Sequence, residues 1–506
     1  MELAYQAWQI YNFVGLALTL AAAVFLRRRS VRIAGWLAEA AAAAYGVATV
    51  PALAVVGGLL AWLVLALQFW LVFLALRLQA GRLHPDFLRR SSVRSAVWLT
   101  LLAWLAAALW LSSGAALNRL AAEVALAFSL FAGAWFAWRI KGYYSEVGLM
   151  SLQRGTPGKP LPSVSLAIPV RNENPALGQC LESVLASDYS KMEVLVYDDC
   201  SQDGTSQIIR SYAARGVRFI SGQKPAEGWI GKNQAMQELY AAASGQYVIF
   251  MGADTRIKPD SIGRALSYME TAGLDMISVV PLRQDGLRVS TVLQQLRYFW
   301  QMTLPGWLVA APVSSAFWCV KADSLQTLGG FAAVRHKIVP ESGFAAALAK
   351  NQKYRMLIGV APSLDVTTEK KWSSQAETAI RLLYPLYRRR PLTVIAAAVA
   401  LAALTSPYLT LLVLAGGGVS VGLAVSAIAA TLLSLTYAAY LRLTAPRVWW
   451  TGIISFPLLL VQEIILSVAS MLMYELGRVS WKGRNICFAV LRRPAPKKSS
   501  LSLRPE

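Results

Sequence analysis

Histidine and cysteine are scarce in this chain of 506 residues, which has two histidines, His84 and His336, and four cysteines, Cys180, Cys200, Cys319 and Cys487. None falls at metal-site or disulfide spacing. This argues against zinc chemistry and a Ser-His-Asp triad, and fits a reduced, cytoplasm-facing domain. Charge is scarce too: 15% of residues are charged and 56% hydrophobic, with a mean hydropathy of +0.46. That balance is too apolar for an ordinary soluble enzyme or a disordered chain. Acidic residues are fewest, 27 against 49 basic, for a net charge of +22. The clusters Arg27-Arg28-Arg29, Arg388-Arg389-Arg390 and Arg492-Arg493 lie beside apolar runs or in the tail. Topology and anionic lipid account for them there, so nucleic acid is not an expected partner. The first apolar run lacks a preceding basic stretch and is followed by Arg27 to Arg29, the reverse of a cleavable signal, so it reads as a retained span.

The apolar residues form two blocks around a charge-bearing middle of about 250 residues, large enough for its own core. Runs near 5-26, 34-56, 58-77, 96-113 and 119-138 each approach the ~20 residues that a bilayer core demands. They predict a five-helix membrane region over 1-140. With the N-terminus outside, the basic loops after the first, third and fifth spans fall inside and the block 141-388 is cytoplasmic. Further runs near 392-415, 419-441 and 449-473 fill 389-475. Three crossings would place the basic tail, 476-506, outside, against its charge. One run is therefore expected to re-enter or lie in the interface, the candidate being 449-473.

Within the middle block, 165-170, 194-197 and 247-251 are short apolar runs of the kind that form buried parallel strands. The stretch 290-311 mixes Tyr298, Phe299, Trp300 and Trp307 with Gln294, Gln295 and Arg297, and suits an amphipathic segment on the membrane. Each strand ends in acid: Glu173, then Asp198-Asp199, then Asp254. Open α/β sheets bind ligands at such ends, and clustered carboxylates call for a divalent cation or hydrogen-bond donors between them.

These strings resemble the family 2 glycosyltransferases of GT-A fold, over about residues 163-350. Ile168-Pro169-Val170-Arg171-Asn172-Glu173 looks like the first nucleotide motif, and Asp198-Asp199-Cys200-Ser201-Gln202-Asp203-Gly204-Thr205 is similar to the loop whose acids hold base and ribose. Gly228-Trp229-Ile230-Gly231-Lys232-Asn233-Gln234-Ala235 resembles a motif of the subgroup that glycosylates carotenoids, hopanoids and related lipids, in which the lysine faces the nucleotide. Gly329-Gly330-Phe331 and Ile338-Val339-Pro340-Glu341 look like downstream elements that end in the general base. Val479-Ser480-Trp481-Lys482-Gly483-Arg484 is similar to an element that follows the membrane segment in the lipid-modifying subgroup.

The resemblance implies an α/β GT-A (Rossmann-like) cytoplasmic catalytic domain joined to transmembrane helices in the cell's inner membrane. It implies an inverting transfer of a sugar from a nucleoside diphosphate sugar, of UDP type, to a lipid-like hydroxyl. Glu341 is then the base, Glu173, Asp198, Asp199 and Lys232 contact the nucleotide, and Asp254 ligates Mg²⁺ or Mn²⁺. Trp481, Lys482 and Arg484 are secondary candidates. Two departures stand out: Gly252-Ala253-Asp254 replaces an Asp-x-Asp metal motif, and Glu341 stands where the family has Asp. The Gln-x-x-Arg-Trp element of processive polysaccharide synthases is absent, with Lys370-Lys371-Trp372 and Gln375 near its place. Two alternatives remain open at this point: a polysaccharide synthase of the same family, and a non-catalytic membrane protein with a degenerate transferase domain.

Overall fold

The computed structural model describes residues 114–152 and 162–487, apart from 285, 307, 310, 361–363, 415–419 and 476. The expected spans 5-26, 34-56, 58-77 and 96-113, and the tail beyond 487, lie outside the described residues. One compact unit comprises Ala125–Leu386 with Ala397–Glu506, and a second comprises Met1–Val124 with Tyr387–Ala396. All contacts below lie within the first.

The chain opens on helix α1 (Gly114–Leu152). It then alternates through β1 (Val164–Val170), α2 (Asn174–Leu185), β2 (Met192–Asp198), α3 (Thr205–Ser211), β3 (Val217–Ser221), α4 (Gly231–Ala242), β4 (Tyr247–Met251), β5 (Thr255–Arg256), α5 (Ser261–Thr271), β6 (Met276–Val280) and β7 (Leu282–Arg283). Two short helices follow, α6 (Val289–Val292) and α7 (Arg297–Thr303), then β8 (Phe317–Lys321), α8 (Ala322–Thr327), α9 (Glu341–Ala349), β9 (Tyr354–Ile358) and β10 (Thr367–Thr368). Helices α10 (Trp372–Leu386), α11 (Pro391–Leu414), α12 (Val421–Thr444) and α13 (Thr451–Glu475) precede a hairpin of β11 (Ser480–Trp481) and β12 (Arg484–Asn485).

Seven strands form one sheet in the order β3-β2-β1-β4-β8-β6-β9. β8 runs antiparallel to β4 and β6, and the other neighbours are parallel. This mixed α/β sheet agrees with the GT-A expectation, and the three apolar runs read as strands are β1, β2 and β4. Side-chain alternation explains the burial on both faces. Leu166, Ile168, Ile249 and Met251 pack on one face against Leu177, Leu181 and Ile262. Ala167, Val248 and Phe250 face a second core that continues into the long helices. There Trp318 stacks on Phe250 with ring centroids 4.4 Å apart. β5, β10 and β7 make a separate three-stranded sheet.

Among the described residues, four helices are long and apolar enough to cross a membrane: Ala121–Val147, Pro391–Leu412, Val421–Thr444 and Thr451–Glu475. They coincide with the expected runs 119-138, 392-415, 419-441 and 449-473. The 290-311 stretch forms α6 and α7, and its Phe299 is fully buried, edge-on to Phe136, Tyr437, Tyr440 and Phe456 at 5.4 to 5.6 Å. This segment is thus packed between the sheet domain and α1, α12 and α13. Helix α13 presents Ile454, Leu458, Val461, Ile465 and Val468 outward. Its other side bonds to the domain: Gln462 Nε2 donates to the Leu293 carbonyl at 3.2 Å, and Ser470 Oγ and Tyr474 Oη donate to the carbonyls of Ile380 and Arg381 in α10.

Candidate active site

The strand order changes direction at β1, which has β2 on one side and β4 on the other. A cleft of about 250 Å³ opens at the C-terminal ends of β1 and β4, where such a switch point leaves room for a ligand. Pro169 and Glu173 after β1, and Met251, Gly252, Ala253 and Asp254 after β4, form its floor. Lys232 enters from the first turn of α4, while Tyr440 and Thr444 of α12 and Leu382 of α10 form an opposite wall. Glu173 and Asp254 are the cleft's only carboxylates among the described residues, facing Lys232, Arg283, Arg297, Lys370 and Arg381. The site is cationic overall.

The expected nucleotide residues divide into two groups. Glu173 and Lys232 line the cleft. Asp198 is buried and holds its own loop: Oδ1 accepts from the Ser201 backbone N–H at 2.9 Å, and Oδ2 accepts from Ser206 Oγ. The Asp199 carboxylate accepts Arg484 Nη1 on both oxygens at 2.7 Å, across 285 residues of sequence. A Cβ at Gly231 would lie 2.8 Å from Arg484 Nη1 and 2.8 Å from Asp199 Oδ2, so this glycine makes the ion pair's room. Burial outweighs that pair and holds the Asp199 carboxyl above the usual carboxylate range. For Glu173, burial likewise raises the pKa against the opposing charge of Lys482.

The β11–β12 hairpin closes over this region. Lys482 and Gly483 at its tip have φ of 47° and 80°, the left-handed pair that a tight two-residue hairpin turn requires. Lys482 Nζ reaches Glu173 Oε1 at 3.1 Å and the Asn172 carbonyl at 3.0 Å, and its own carbonyl accepts Arg171 Nε at 3.1 Å. Trp481 lines the cleft and lies under the Arg381 guanidinium, 5.3 Å from the ring centroid. The three secondary candidates are therefore brought together with Glu173 and Asp199.

Glu341 opens α9 and is fully buried beside the cleft wall. Its Oε1 accepts from Ser315 Oγ, and its Oε2 is buried without a hydrogen-bond partner. Ser315 itself lines the cleft, which makes it the link between Glu341 and the open space. Asp254 sits in the floor, its carbonyl accepting Thr368 Oγ1 at 3.0 Å. A Cβ at Gly252 would lie 2.8 Å from Asp254 Oδ1, so the carboxylate leans over the place of the missing first acid. No group of three or more His, Cys, Asp or Glu that could hold a metal occurs among the described residues. The cleft's carboxylates are Glu173 and Asp254, and Mg²⁺ commonly takes one or two carboxylates plus phosphate oxygens of a ligand. Burial lowers the pKa of Lys232, Lys370 and Arg381. Reading the strings left out Ser315, Arg283, Arg297, Lys370 and Arg381 as site residues. Of these, Arg297 stood in the 290-311 stretch and Lys370 beside the place of the synthase element, and neither was read there as a site residue.

Residues 165–318 match the family model described as glycosyl transferase family 2. The chain is 27% identical over 152 residues to the succinoglycan biosynthesis protein ExoO of Rhizobium meliloti, covering 29% of this chain and 42% of that protein. It is 30% identical over 146 residues to the 4,4'-diaponeurosporenoate glycosyltransferase of Staphylococcus haemolyticus, covering 28% and 38%. The chain thus spans about two-fifths of the length of these curated relatives. Among solved structures it is similar to a mannosyltransferase from Pyrobaculum calidifontis in complex with GDP-Man and Mn²⁺, with 18% identity and a TM-score of 0.42, covering 67% of this chain and 99% of that one.

Proposed function

We propose, from the premise that residues 165–318 form a glycosyl transferase family 2 domain, that this chain moves a sugar from a nucleoside diphosphate sugar to a lipid-like hydroxyl at the cytoplasmic face of a membrane. The observation that carries this reading is the composition of the cleft wall. One side is the acidic and basic floor of the sheet, and the other includes Tyr440 and Thr444 of α12, a helix apolar enough to cross a bilayer. An acceptor dissolved in lipid reaches such a site laterally. The relative from Staphylococcus haemolyticus is named a 4,4'-diaponeurosporenoate glycosyltransferase, which favours a lipid-like class here.

In this reading the cationic cleft takes the donor's diphosphate, and Glu173 and Asp199, with Lys482 and Arg484 above them, build the nucleoside side. Asp198 supports them through its loop bonds. The acceptor oxygen attacks the anomeric carbon as the bond from that carbon to the phosphate oxygen breaks, and the electron pair leaves with the nucleoside diphosphate. The hydroxyl proton passes to Ser315 Oγ, whose own proton passes to Glu341, the general base. A divalent ion bound by Asp254 and the donor phosphates would add Lewis-acid stabilisation of the departing group.

The outward apolar stripe of α13 and the bonds along its other side support a helix lying in the membrane plane. That placement would keep the basic tail on the side of the catalytic domain, as its charge favours. The rival within this class is a polysaccharide synthase. The product from a purified, membrane-reconstituted protein, measured by mass spectrometry, should carry one added sugar, and a ladder of products would establish the synthase instead.

A further inference from the structure

Three cleft residues owe their placement to the small sheet. Asp254 immediately precedes β5, Arg283 ends β7, and Lys370 follows β10 by two residues. The register sets Thr368 opposite both Thr255 and Arg283, and the Thr368 hydroxyl bonds the Asp254 carbonyl, so the chain leaving β10 runs past Asp254. The backbone of Lys370 is then fixed: its carbonyl accepts Arg283 Nη2 at 2.9 Å and Gln375 Nε2 at 3.4 Å. Lys370 lines the cleft, and its ammonium has no hydrogen bond or ion pair among the described residues. A half-buried cation held in this way is matched to an anion that arrives with a ligand.

The charge inventory says which anion. Gly252 stands where the family's motif has a carboxylate, and Lys370 adds a positive charge to the cleft whose floor holds Asp254. Both changes favour a group that carries two negative charges and gains another as its bond to carbon breaks. We infer that Lys370 is a catalytic residue that contacts the donor diphosphate and stabilises its departing charge, in place of part of what a two-carboxylate metal site would supply. This rests on the transferase reading above. The step itself is unchanged: the anomeric carbon exchanges its phosphate oxygen for the acceptor oxygen, and Lys370 keeps its proton throughout.

The test uses the full chain in lipid nanodiscs. Calorimetry measures the affinities for UDP, GDP and ADP, and competition measures those for the matching nucleosides, each with Mg²⁺ and again with chelator. Lys370→Met should weaken diphosphate affinity on the order of 10- to 100-fold, the range for a hydrogen bond to a charged group. Nucleoside affinity should stay within twofold, Lys370→Arg should recover most of the loss, and the difference should persist in chelator. Unchanged diphosphate affinity in Lys370→Met overturns the inference, as does an equal loss for diphosphate and nucleoside. If the unsubstituted protein binds none of the nucleoside diphosphates, the transferase reading falls and takes this inference with it.

Discussion

Replacing Arg484 by alanine probes the longest-range interaction in the site. The Asp199 side chain is 4% exposed and Arg484 23%, and two charge-assisted bonds of 2.7 Å join them, with a third from Nη2 to the Asp199 carbonyl at 3.3 Å. Removing one partner of a fully buried pair costs about 3–5 kcal/mol. Arg484 is partly exposed and Asp199 regains water once the hairpin lifts, which brings the expected loss to about 2–3 kcal/mol. That loss falls on hairpin docking rather than on the sheet, because the core strands have their own packing. At about 1.4 kcal/mol per tenfold, amide protection over residues 478–487 should drop roughly 30- to 150-fold. Hydrogen exchange in nanodiscs reads this directly. Lys482→Ala is the internal control: its pair with Glu173 is 29% and 28% exposed, and such pairs contribute about 0–1 kcal/mol. The reasoning is refuted if Arg484→Ala leaves protection within threefold of the parent, or if Lys482→Ala matches it.

Glu341→Gln should lower kcat by at least about 100-fold while UDP affinity changes less than twofold, because it removes proton acceptance and leaves the donor cleft intact; steady-state rates with calorimetry separate the two. Asp254→Asn should blunt the effect of Mg²⁺ or Mn²⁺ on UDP affinity, measured as a metal titration, and an undiminished metal effect would move the ion elsewhere. Lys232 and Lys370 have pKa values lowered by burial, so between those values and the ordinary lysine value of about 10.4 they are partly neutral in the free protein. A bound diphosphate restores their protons, so UDP affinity should fall as pH rises through this window, and binding should take up protons, seen as heats that vary with the buffer's ionisation enthalpy. The same groups bind fewer protons folded than unfolded there, so their contribution to fold stability rises with pH, opposite in sign to the affinity.

Much of the domain was legible because local patterns governed it. The apolar runs ending in acid became β1, β2 and β4, and Lys232 and the 480–484 hairpin meet at one cleft, with Asp199 of the neighbouring loop paired to the hairpin's Arg484. What sequence order could not convey was which acid does what. Asp198 and Asp199 are adjacent in the chain, yet one is committed to its own turn and the other to an arginine 285 residues away. The basic side of the cleft was hidden for a similar reason. Arg283 and Lys370 meet only through the pairing of β7 with β10, and Arg381 enters from a helix whose sequence carries no motif. Glu341 was singled out by its string, but its burial behind Ser315 depends on packing between α9 and the segment before β8.

The most direct test of the central claim is nucleotide release by the purified protein in lipid nanodiscs, with a panel of nucleoside diphosphate sugars, Mg²⁺ or Mn²⁺, and membrane lipid extract as acceptor. The account predicts release that requires one donor and the extract, and that is lost in Glu341→Gln. Release that is indifferent to Glu341, or none with any donor across extracts from several membranes while nucleotide still binds, would contradict it.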